Sequence, residues 1–185
     1  MSDLNLVGID EAGRGALAGS LSIAACKLNS HIKGLNDSKK LTVKAREELF
    51  AKIKENSQYL IIHISCEDID RLGLSLCFKK ALSIIKSHFN KANLLFDGNT
   101  NFGISDIKTM IKADEKIPTV SAASILAKVS RDEFMKTLPP EFEKYHFAKH
   151  KGYASKLHLE MIKKYGLSKI HRKSFKLKAL EPTLF

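Results

Sequence analysis

The chain has 185 residues, of which 44% are hydrophobic, and this apolar content is enough for one domain core and excludes a chain that is disordered throughout. The longest stretch without a charged residue, residues 15–26, falls short of the roughly 20 residues that cross a bilayer as a helix. The first residues lack the charged start and apolar run of a secretory signal. We therefore expect a cytoplasmic protein without a membrane segment.

Charge is unevenly distributed along the chain. The 31 Lys and Arg residues exceed the 20 Asp and Glu residues and give a formal net charge of +11. Residues 144–185 contain eleven Lys and Arg residues and two acids, a net charge of +9. Two interpretations are open at this point: a solvated lysine-rich surface, or a surface that binds a polyphosphate such as a nucleic acid.

The three cysteines predict neither a disulfide framework nor a zinc site. Cys26, Cys66 and Cys77 form no Cys-x-x-Cys pair, and an odd number is typical of reduced thiols in a reducing compartment. This agrees with the cytoplasmic location expected above.

The first part of the chain predicts three strands and a helix. Alternation over residues 4–10 and the apolar run of residues 18–28 indicate two strands, joined as a hairpin by the glycine-containing segment between them. Thr42 can cap a helix whose apolar residues fall on one face. Residues 58–66 form the third predicted strand.

The middle of the chain predicts one helix and two short strands. Ser75 can cap a helix that ends before Asn90. Residues 93–96 form a predicted strand that stops at the polar turn Asp97-Gly98-Asn99. Residues 104–111 indicate a fifth strand.

The last part of the chain is predicted to be helical. A long helix runs from Ser121 to about Leu138, where Pro139 stops it, and Ser155 can cap a final helix that ends at Gly166. Because strands come early and helices late, we predict one α/β domain. It consists of a mixed sheet flanked by helices, with a basic helical C-terminal part packed against it.

Four acidic residues lie where the predicted strands end or turn: Asp10, Glu11, Asp97 and Asp114. If the strands that end at Asp10 and Asp97 are parallel neighbours, their carboxylates lie close together at one edge of the sheet. Crowded carboxylates keep a proton or bind a cation, and oxygen ligands alone favour Mg²⁺ or Mn²⁺. The alternative is that each acid is a cap or a solvated turn residue.

Asp10 and Glu11 are adjacent, which restricts how they can act together. Neighbouring residues of a regular strand point to opposite faces of the sheet. Both side chains can therefore reach one site only if the strand ends or bulges at this point.

Three further segments carry groups that suit a phosphate or a sugar. In Gly13-Arg14-Gly15 the glycines allow the backbone to approach a ligand closely and Arg14 offers a fork for phosphate oxygens, unless this is an ordinary turn. Lys39 and Lys40 precede a helix N-terminus, where phosphates are also stabilised, or are simply exposed. Tyr153, within a basic stretch, can stack on a base or sugar or fill the core.

Seven blocks of sequence together carry a resemblance to a known family. They are Gly8-Ile9-Asp10-Glu11-Ala12-Gly13-Arg14-Gly15, Asp37-Ser38-Lys39-Lys40-Leu41, Asp97-Gly98-Asn99, Ala113-Asp114, residues 121–129 with Arg131-Asp132, His150-Lys151-Gly152-Tyr153, and His171-Arg172 with Ser174-Phe175. In this order they resemble the ribonuclease HII family, the type 2 ribonucleases H.

The resemblance implies a ribonuclease H-like fold and cleavage of the RNA strand in RNA/DNA hybrids, including at single ribonucleotides within duplex DNA. It implies that Asp10, Glu11, Asp97 and Asp114 are the catalytic metal ligands. Two Mg²⁺ or Mn²⁺ ions would then support an in-line displacement that leaves 5′-phosphate and 3′-hydroxyl ends. Asp132 is acidic and lies in a matching block, but we assign it a structural role.

The resemblance also implies roles in substrate binding. Residues 13–15 match the family's loop that senses the ribose 2′-hydroxyl, and Tyr153 matches its tyrosine that stacks at the RNA-to-DNA junction. The candidate substrate-binding residues are therefore Gly13, Arg14, Gly15, Lys39, Lys40 and Tyr153. The sequence departs from the family at Ala16 and Ser20, where prolines are common, and at Ala154-Ser155, where Gly-Thr is frequent.

We expect residues 1–140 to form the catalytic core and residues 141–185 to form the basic helical extension, which is not an independent domain. The protein is expected to be a monomer that binds RNA/DNA hybrids and ribonucleotide-containing duplex DNA. The apolar tail, Leu180 to Phe185, suggests contact with a clamp protein.

Two other functions stay open at this stage. A non-catalytic protein that binds RNA or hybrid duplexes would explain the positive charge and leave the acids incidental. A type 1 ribonuclease H would cut long RNA tracts but ignore an isolated ribonucleotide. We assign no catalytic role to the histidines of the C-terminal part, which lack a metalloprotease motif: His146, His150, His158 and His171.

Overall fold

A computed structural model describes residues 5–175 of the chain. Its strands are β1 (Leu6–Ala12), β2 (Leu21–Leu28), β3 (Ser57–Ile64), β4 (Asn93–Asp97) and β5 (Ile107–Met110). Its α-helices are α1 (Val43–Glu55), α2 (Cys66–His88), α3 (Pro118–Lys136), α4 (Phe147–His150) and α5 (Lys156–Tyr165). Two 3₁₀ helices cover Ala113–Glu115 and Pro140–Tyr145.

The five strands form one mixed sheet in the order β3-β2-β1-β4-β5. The central strand β1 pairs antiparallel with β2 and parallel with β4. β3 extends the antiparallel side and β5 extends the parallel side. The predicted α/β class, the hairpin of the first two strands and the fifth strand are thus confirmed.

Helices cover both faces of the sheet. On one face α2 packs through Phe78 and Leu82 against Ile9 and Phe96. The other face carries α3, which approaches β1 very closely at Gly8. A Cβ atom at Gly8 would lie 2.3 Å from the Thr119 carbonyl carbon, so only glycine fits there. This close contact fixes the start of α3 beside the strand that carries Asp10.

The predicted helix from Ser75 is wrong at its start, because α2 begins at Cys66. The Ser65 side chain accepts a hydrogen bond from the Asp68 N–H and caps the helix there. Gly73 has a non-helical conformation with φ 75°, and the second half of α2 follows the helix predicted from the apolar pattern. The third predicted strand extended to Cys66, so Ser65 was counted as a strand residue and not as the helix cap.

The predicted bounds of α3 differ from the structure, whereas those of α5 are confirmed. α3 begins at Pro118, three residues before the predicted start, since proline suits the first turn of a helix. The Ser155 side chain accepts from the His158 N–H and caps α5, and Gly166 ends it with φ 74°, as predicted. The short helical turns between Pro140 and His150 were not predicted.

Residues 141–175 pack against the segment that joins β1 to β2. The Arg172 N–H donates to the Leu17 carbonyl at 2.8 Å, and Ala18 forms an isolated β-bridge with His171. The division of the chain at residue 140 stays a prediction. The tail Leu180 to Phe185 lies outside the described residues.

The three cysteines are free, as predicted, and all three are buried. Within residues 5–175, no helix is both long and apolar enough to cross a membrane.

Candidate active site

Asp10 and Asp97 lie side by side because β1 and β4 are parallel neighbours. Ile9 is paired with Phe96 in the register of these strands, so the next residue of each strand is one of the two acids. Gly8 and Asp10 share the face of β1 that meets α3, since alternate residues of a strand face the same side. The predicted convergence of these two carboxylates at the sheet edge is confirmed.

Asp114 joins them from the 3₁₀ helix that follows β5. Its backbone N–H donates to the Asp97 carboxylate at 3.2 Å. The Ser121 hydroxyl at the start of α3 donates to the Asp114 carbonyl at 2.5 Å. Carboxylate oxygens of Asp10, Asp97 and Asp114 all lie within 4.8 Å of one another. We call these three residues the acidic triad.

Without a bound cation, it is energetically unfavourable for all three carboxylates of the acidic triad to be ionised at once. Burial, followed by the charge of Glu11, raises the pKa of Asp10 well above its usual value. Burial and the neighbouring Asp97 raise the pKa of Asp114 to about 6. Carboxylates held together and away from water favour either a proton or a bound cation. The donor set contains only oxygen, which fits Mg²⁺ or Mn²⁺.

Glu11 does not belong to the acidic triad. β1 continues regularly to Ala12, with Glu11 paired to Ile23, so the strand neither ends nor bulges at Asp10. One Glu11 oxygen lies 3.0 Å from Nε of Arg14, while the other is buried without a hydrogen-bond partner. Burial, opposed by Arg14 and reinforced by Asp97, raises the pKa of Glu11 to about 7. Its role as a metal ligand stays a prediction.

Lys39 supplies positive charge beside the acidic triad. Burial by itself would lower the pKa of Lys39, but the carboxylates of Asp37, Asp114 and the other triad members raise it overall. Its loop is fixed where the Asp37 carboxylate accepts from the Lys39 N–H at 2.9 Å. Lys40 instead pairs with Glu115 at 3.1 Å, so the two lysines have different partners.

The predicted substrate loop and Tyr153 meet, although they are 140 residues apart. The Gly13 N–H donates to the Tyr153 hydroxyl at 3.1 Å, and Gly13 has φ 89°. The Tyr153 side chain is 37% exposed, so it does not fill the core. Gly15 is exposed and its added Cβ would meet nothing within 4 Å. One substrate can therefore contact this loop and the Tyr153 ring together.

Two buried arginines hold this loop, and neither was predicted from the sequence. Arg131 donates to the Ser20 and Ala18 carbonyls at 2.8 and 3.1 Å. Arg172 donates to the Gly19 carbonyl through two nitrogens and to the Arg14 carbonyl at 3.0 Å. Burial, followed by the charge of Arg131, lowers the pKa of Arg172 to about 10. These contacts hold the segment that joins β1 to β2, in which Ala16 and Ser20 lie.

A basic groove lies beside Tyr153. Lys128 has its ammonium 5.8 Å from the centre of the Tyr153 ring. The groove has a volume of about 310 Å³, and its cationic lining residues are Arg46, Lys128, Lys136, Lys149 and Lys151. Three carboxylates, Glu47, Asp132 and Glu133, also line it and pair with Lys128 and Lys136, so Arg46, Lys149 and Lys151 carry its excess positive charge. Two lysines of the basic C-terminal part, Lys149 and Lys151, thus line a surface beside Tyr153.

Asp132 lies apart from the acidic triad. Its carboxylate accepts from the Lys128 ammonium at 2.7 Å, a pairing within one face of α3. This contact agrees with the structural role assigned to it.

Comparison with known proteins supports the interpretation of this site. The sequence profile of the family named Ribonuclease HII matches residues 7–178. Ribonuclease HII of Campylobacter jejuni is 60% identical over 176 residues, which cover 95% of this chain and 92% of that protein.

Solved structures show the same fold. The PCNA:RNase HII complex from Archaeoglobus fulgidus contains a chain that matches with a TM-score of 0.76 at 28% identity, covering 95% of this chain and 96% of that one. Bst-RNase HIII in complex with Mn²⁺ matches with a TM-score of 0.70 at 19% identity, covering 94% of this chain and 68% of that one. The second likeness shows the fold alone.

The fold and the acidic triad define a metal-dependent nuclease of the ribonuclease H-like class. The chain belongs to the ribonuclease HII family. It is thus a type 2 ribonuclease H, an endonuclease, and the resemblance stated from the sequence is confirmed.

Mn²⁺ should stabilise the protein more at pH 8 than at pH 5. Without metal, Asp114 and Glu11 have folded-state pKa values of about 6 and about 7, above their usual values. A raised carboxyl pKa contributes stability below the unfolded value and loses it as pH rises through the folded value. A cation replaces these protons, and at a hundred times its Kd it adds about 2.7 kcal/mol.

The measurement is the melting temperature with Mn²⁺ and with EDTA at each pH. At each pH the melting temperature in EDTA is subtracted from that in Mn²⁺, so the contributions of groups that titrate elsewhere in the protein cancel. Asp114→Asn should reduce the Mn²⁺ shift, whereas Glu141→Gln, at an exposed carboxylate, should not. A metal shift that is equal at both pH values would contradict the argument.

Proposed function

We propose that this enzyme cleaves the RNA strand of RNA/DNA hybrids and also cuts at single ribonucleotides embedded in duplex DNA. The observation that supports this most directly is the convergence of the acidic triad at one sheet edge. Asp10 lies two residues before the end of β1, and that end leads into the loop that touches Tyr153. A phosphodiester at the triad then has a 2′-hydroxyl sensor nearby. A plain hybrid-binding protein gives no reason for three crowded carboxylates, of which Asp10 and Asp114 are buried and Asp97 is half-buried.

Asp10, Asp97 and Asp114 are the proposed metal ligands, with Glu11 as the fourth. These residues would hold divalent cations, two Mg²⁺ or Mn²⁺ in our proposal, which would activate water and offset the negative charge of the phosphodiester. The buried Glu11 oxygen without a partner fits a ligand role if its Arg14 contact rearranges. The products would carry 5′-phosphate and 3′-hydroxyl ends.

The loop at residues 13–15 and Tyr153 are proposed to select RNA. The 2′-hydroxyl is the group by which a protein distinguishes RNA from DNA at one nucleotide. Gly15 exposes the backbone of the loop, and the Tyr153 ring offers a surface for stacking at the junction with DNA. Arg14, Lys39 and Lys40 would contact phosphates near the cleavage position.

We further propose that the tail Leu180 to Phe185 binds a sliding clamp. The A. fulgidus relative was solved as a complex with PCNA. Deleting residues 180–185 should abolish capture by the clamp protein of the same organism and leave cleavage intact. Capture that survives the deletion would contradict this proposal.

The cytoplasmic location stays a prediction.

Removing lysines of the basic groove should weaken hybrid binding and reduce its dependence on salt. The logarithm of the binding constant falls with the logarithm of the salt concentration. For each phosphate contact that is lost, this slope becomes less steep by about 0.9, because fewer counterions are released on binding. Lys149→Ala and Lys151→Ala are the test variants, and binding is measured by anisotropy at several salt concentrations. Lys54→Ala, in the last turn of α1 and outside the groove, is the control. Unchanged slopes in the groove variants would identify it as a solvated surface.

One cleavage assay tests the proposed function against its rivals. Purified protein is incubated with three duplexes: one with a single ribonucleotide, one with a continuous RNA strand, and one of DNA only. With Mg²⁺ or Mn²⁺ we expect nicking of the first two, at the 5′ side of the isolated ribonucleotide, and no nicking in EDTA. Cleavage of the continuous RNA alone would indicate a type 1 specificity. Binding without cleavage would indicate a non-catalytic protein.

A further inference from the structure

Two histidines without a role in the proposed chemistry form a buried pair behind Tyr153. His158 on α5 and His171 in the following segment are 0% and 1% exposed. Their Nε2 atoms lie 3.0 Å apart. Such a contact between two imidazoles requires one nitrogen to donate and the other to accept.

The other partners of the two rings fix which nitrogen carries each proton. The Ser168 backbone N–H donates to Nδ1 of His171 at 2.8 Å, so that nitrogen is an acceptor and Nε2 carries the hydrogen. His171 therefore donates to Nε2 of His158. Nδ1–H of His158 is then free to donate to the Tyr153 carbonyl, 2.9 Å away. A directional chain of hydrogen bonds runs from Ser168 through both rings to Tyr153.

A third histidine supports the same loop. His150 stacks on His158 with ring centres 4.2 Å apart. Its Nδ1 accepts from the Gly152 N–H at 3.2 Å, and its Nε2 lies 2.8 Å from the Tyr145 carbonyl, to which it donates. Histidines thus hold both Gly152 and Tyr153, and the Tyr153 hydroxyl reaches Gly13 from the other side.

We propose that His158 and His171 are positioning residues that set Tyr153 for selection of the ribonucleotide. They do so by holding its backbone carbonyl through the chain of hydrogen bonds from Ser168. The inference rests on the proposed role of Tyr153. Neither histidine is proposed to touch the substrate.

The surroundings keep both rings neutral, as the chain requires. The titratable groups that face the pair are His150 of α4 and Tyr145 of the preceding 3₁₀ helix. His146 and Lys151 lie around His150 and, after burial, help to lower its pKa. Within residues 5–175, no carboxylate is among the contacts of the two rings. Burial, together with the neighbouring histidines, lowers the pKa of His158 and of His171 to about 4. The hydrogen-bond directions therefore hold at neutral pH.

The test compares kcat/KM on the single-ribonucleotide duplex with kcat/KM on the continuous hybrid. His171→Leu removes the donor to His158 and should lower this ratio about tenfold, the scale of one hydrogen bond. His171→Gln keeps an N–H donor and should restore much of the ratio. His31→Leu, at an exposed histidine, should leave it unchanged. A smaller folded fraction lowers both rates equally, so a purely structural role would not change the ratio.

Two further measurements separate the possible failures. Nitrogen NMR of the unmodified protein at pH 7 should show Nδ1–H in His158 and Nε2–H in His171, and the opposite tautomers would overturn the proposal even if the variants did not fold. Tyr153→Ala should lower the ratio at least as much as His171→Leu. An unchanged ratio in Tyr153→Ala would refute the role of Tyr153 itself. A lowered ratio there with a normal ratio in His171→Leu would refute the histidine chain alone.

Discussion

Asp10→Asn should reduce the rate of cleavage by roughly a thousandfold or more and leave hybrid binding intact, because the substitution removes a ligand to the divalent metal. Each tenfold loss of rate corresponds to about 1.4 kcal/mol in the activation barrier. Asn can keep the hydrogen bond that Asp10 accepts from the Glu11 N–H at 2.7 Å. Burial disfavours the charge of Asp10, so the neutral side chain should not destabilise the protein without metal. The activity loss is then separable from unfolding.

The experiment combines three measurements on the same variant. Cleavage is followed with Mg²⁺ and Mn²⁺, hybrid binding is measured in EDTA, where neither protein cuts, and the melting temperature is taken with and without Mn²⁺. Asp106→Asn is the matched control, because Asp106 pairs with Lys86 and lies outside both the triad and the basic groove. Full activity of Asp10→Asn in Mn²⁺ would remove Asp10 from the set of ligands. Lost hybrid binding would assign it to substrate contact.

The acidic triad could be predicted because its positions follow from strand ends. A parallel sheet brings the carboxyl ends of neighbouring strands to one edge, so Asp10 and Asp97 needed only the correct order of strands. Glu11 could not be placed in the same way. Glu11 follows Asp10 directly, so both side chains can reach one site only if the strand ends or bulges between them. The regular pairing of Glu11 with Ile23 shows that the strand does neither.

The supports of the substrate loop were not predicted, because charge alone does not distinguish them from surface residues, although both arginines lie in the sequence blocks that carry the resemblance. Arg172 lies in a segment rich in exposed lysines, and Arg131 lies four residues after Ala127 on a helix with other charged residues. Arginine is rarely buried without a partner, so both positions suggest exposure. Their partners are carbonyls of a loop more than 110 residues away in sequence, and only the tertiary fold brings them together. The start of α2 was missed for a different reason: the third predicted strand extended to Cys66, so Ser65 was counted as a strand residue and not as the helix cap.

Gly13→Ala should destabilise the protein by about 3 kcal/mol, which combines roughly 1 kcal/mol for a positive φ with an overpacking cost of about 2 kcal/mol. Gly13 has φ 89°, and an added Cβ would lie 2.0 Å from Nε of Arg131. That guanidinium is buried and bonded to the Ser20 and Ala18 carbonyls, so it cannot move aside cheaply. The melting temperature should fall by roughly 10 °C in a chain of this size, and cleavage at a single ribonucleotide should fall with it even below that temperature.

Gly15→Ala is the matched control in the same loop and separates folding from substrate contact. Gly15 is exposed, and a Cβ there would meet nothing within 4 Å, so the melting temperature should stay unchanged. If the loop backbone contacts the ribose, the added methyl group should still reduce cleavage at the isolated ribonucleotide, because it stands between that backbone and the sugar. Equal melting temperatures for Gly13→Ala and the unmodified protein would show that Arg131 does not hold the loop. Normal cleavage by Gly15→Ala would move the 2′-hydroxyl sensor to Gly13, Arg14 and Tyr153.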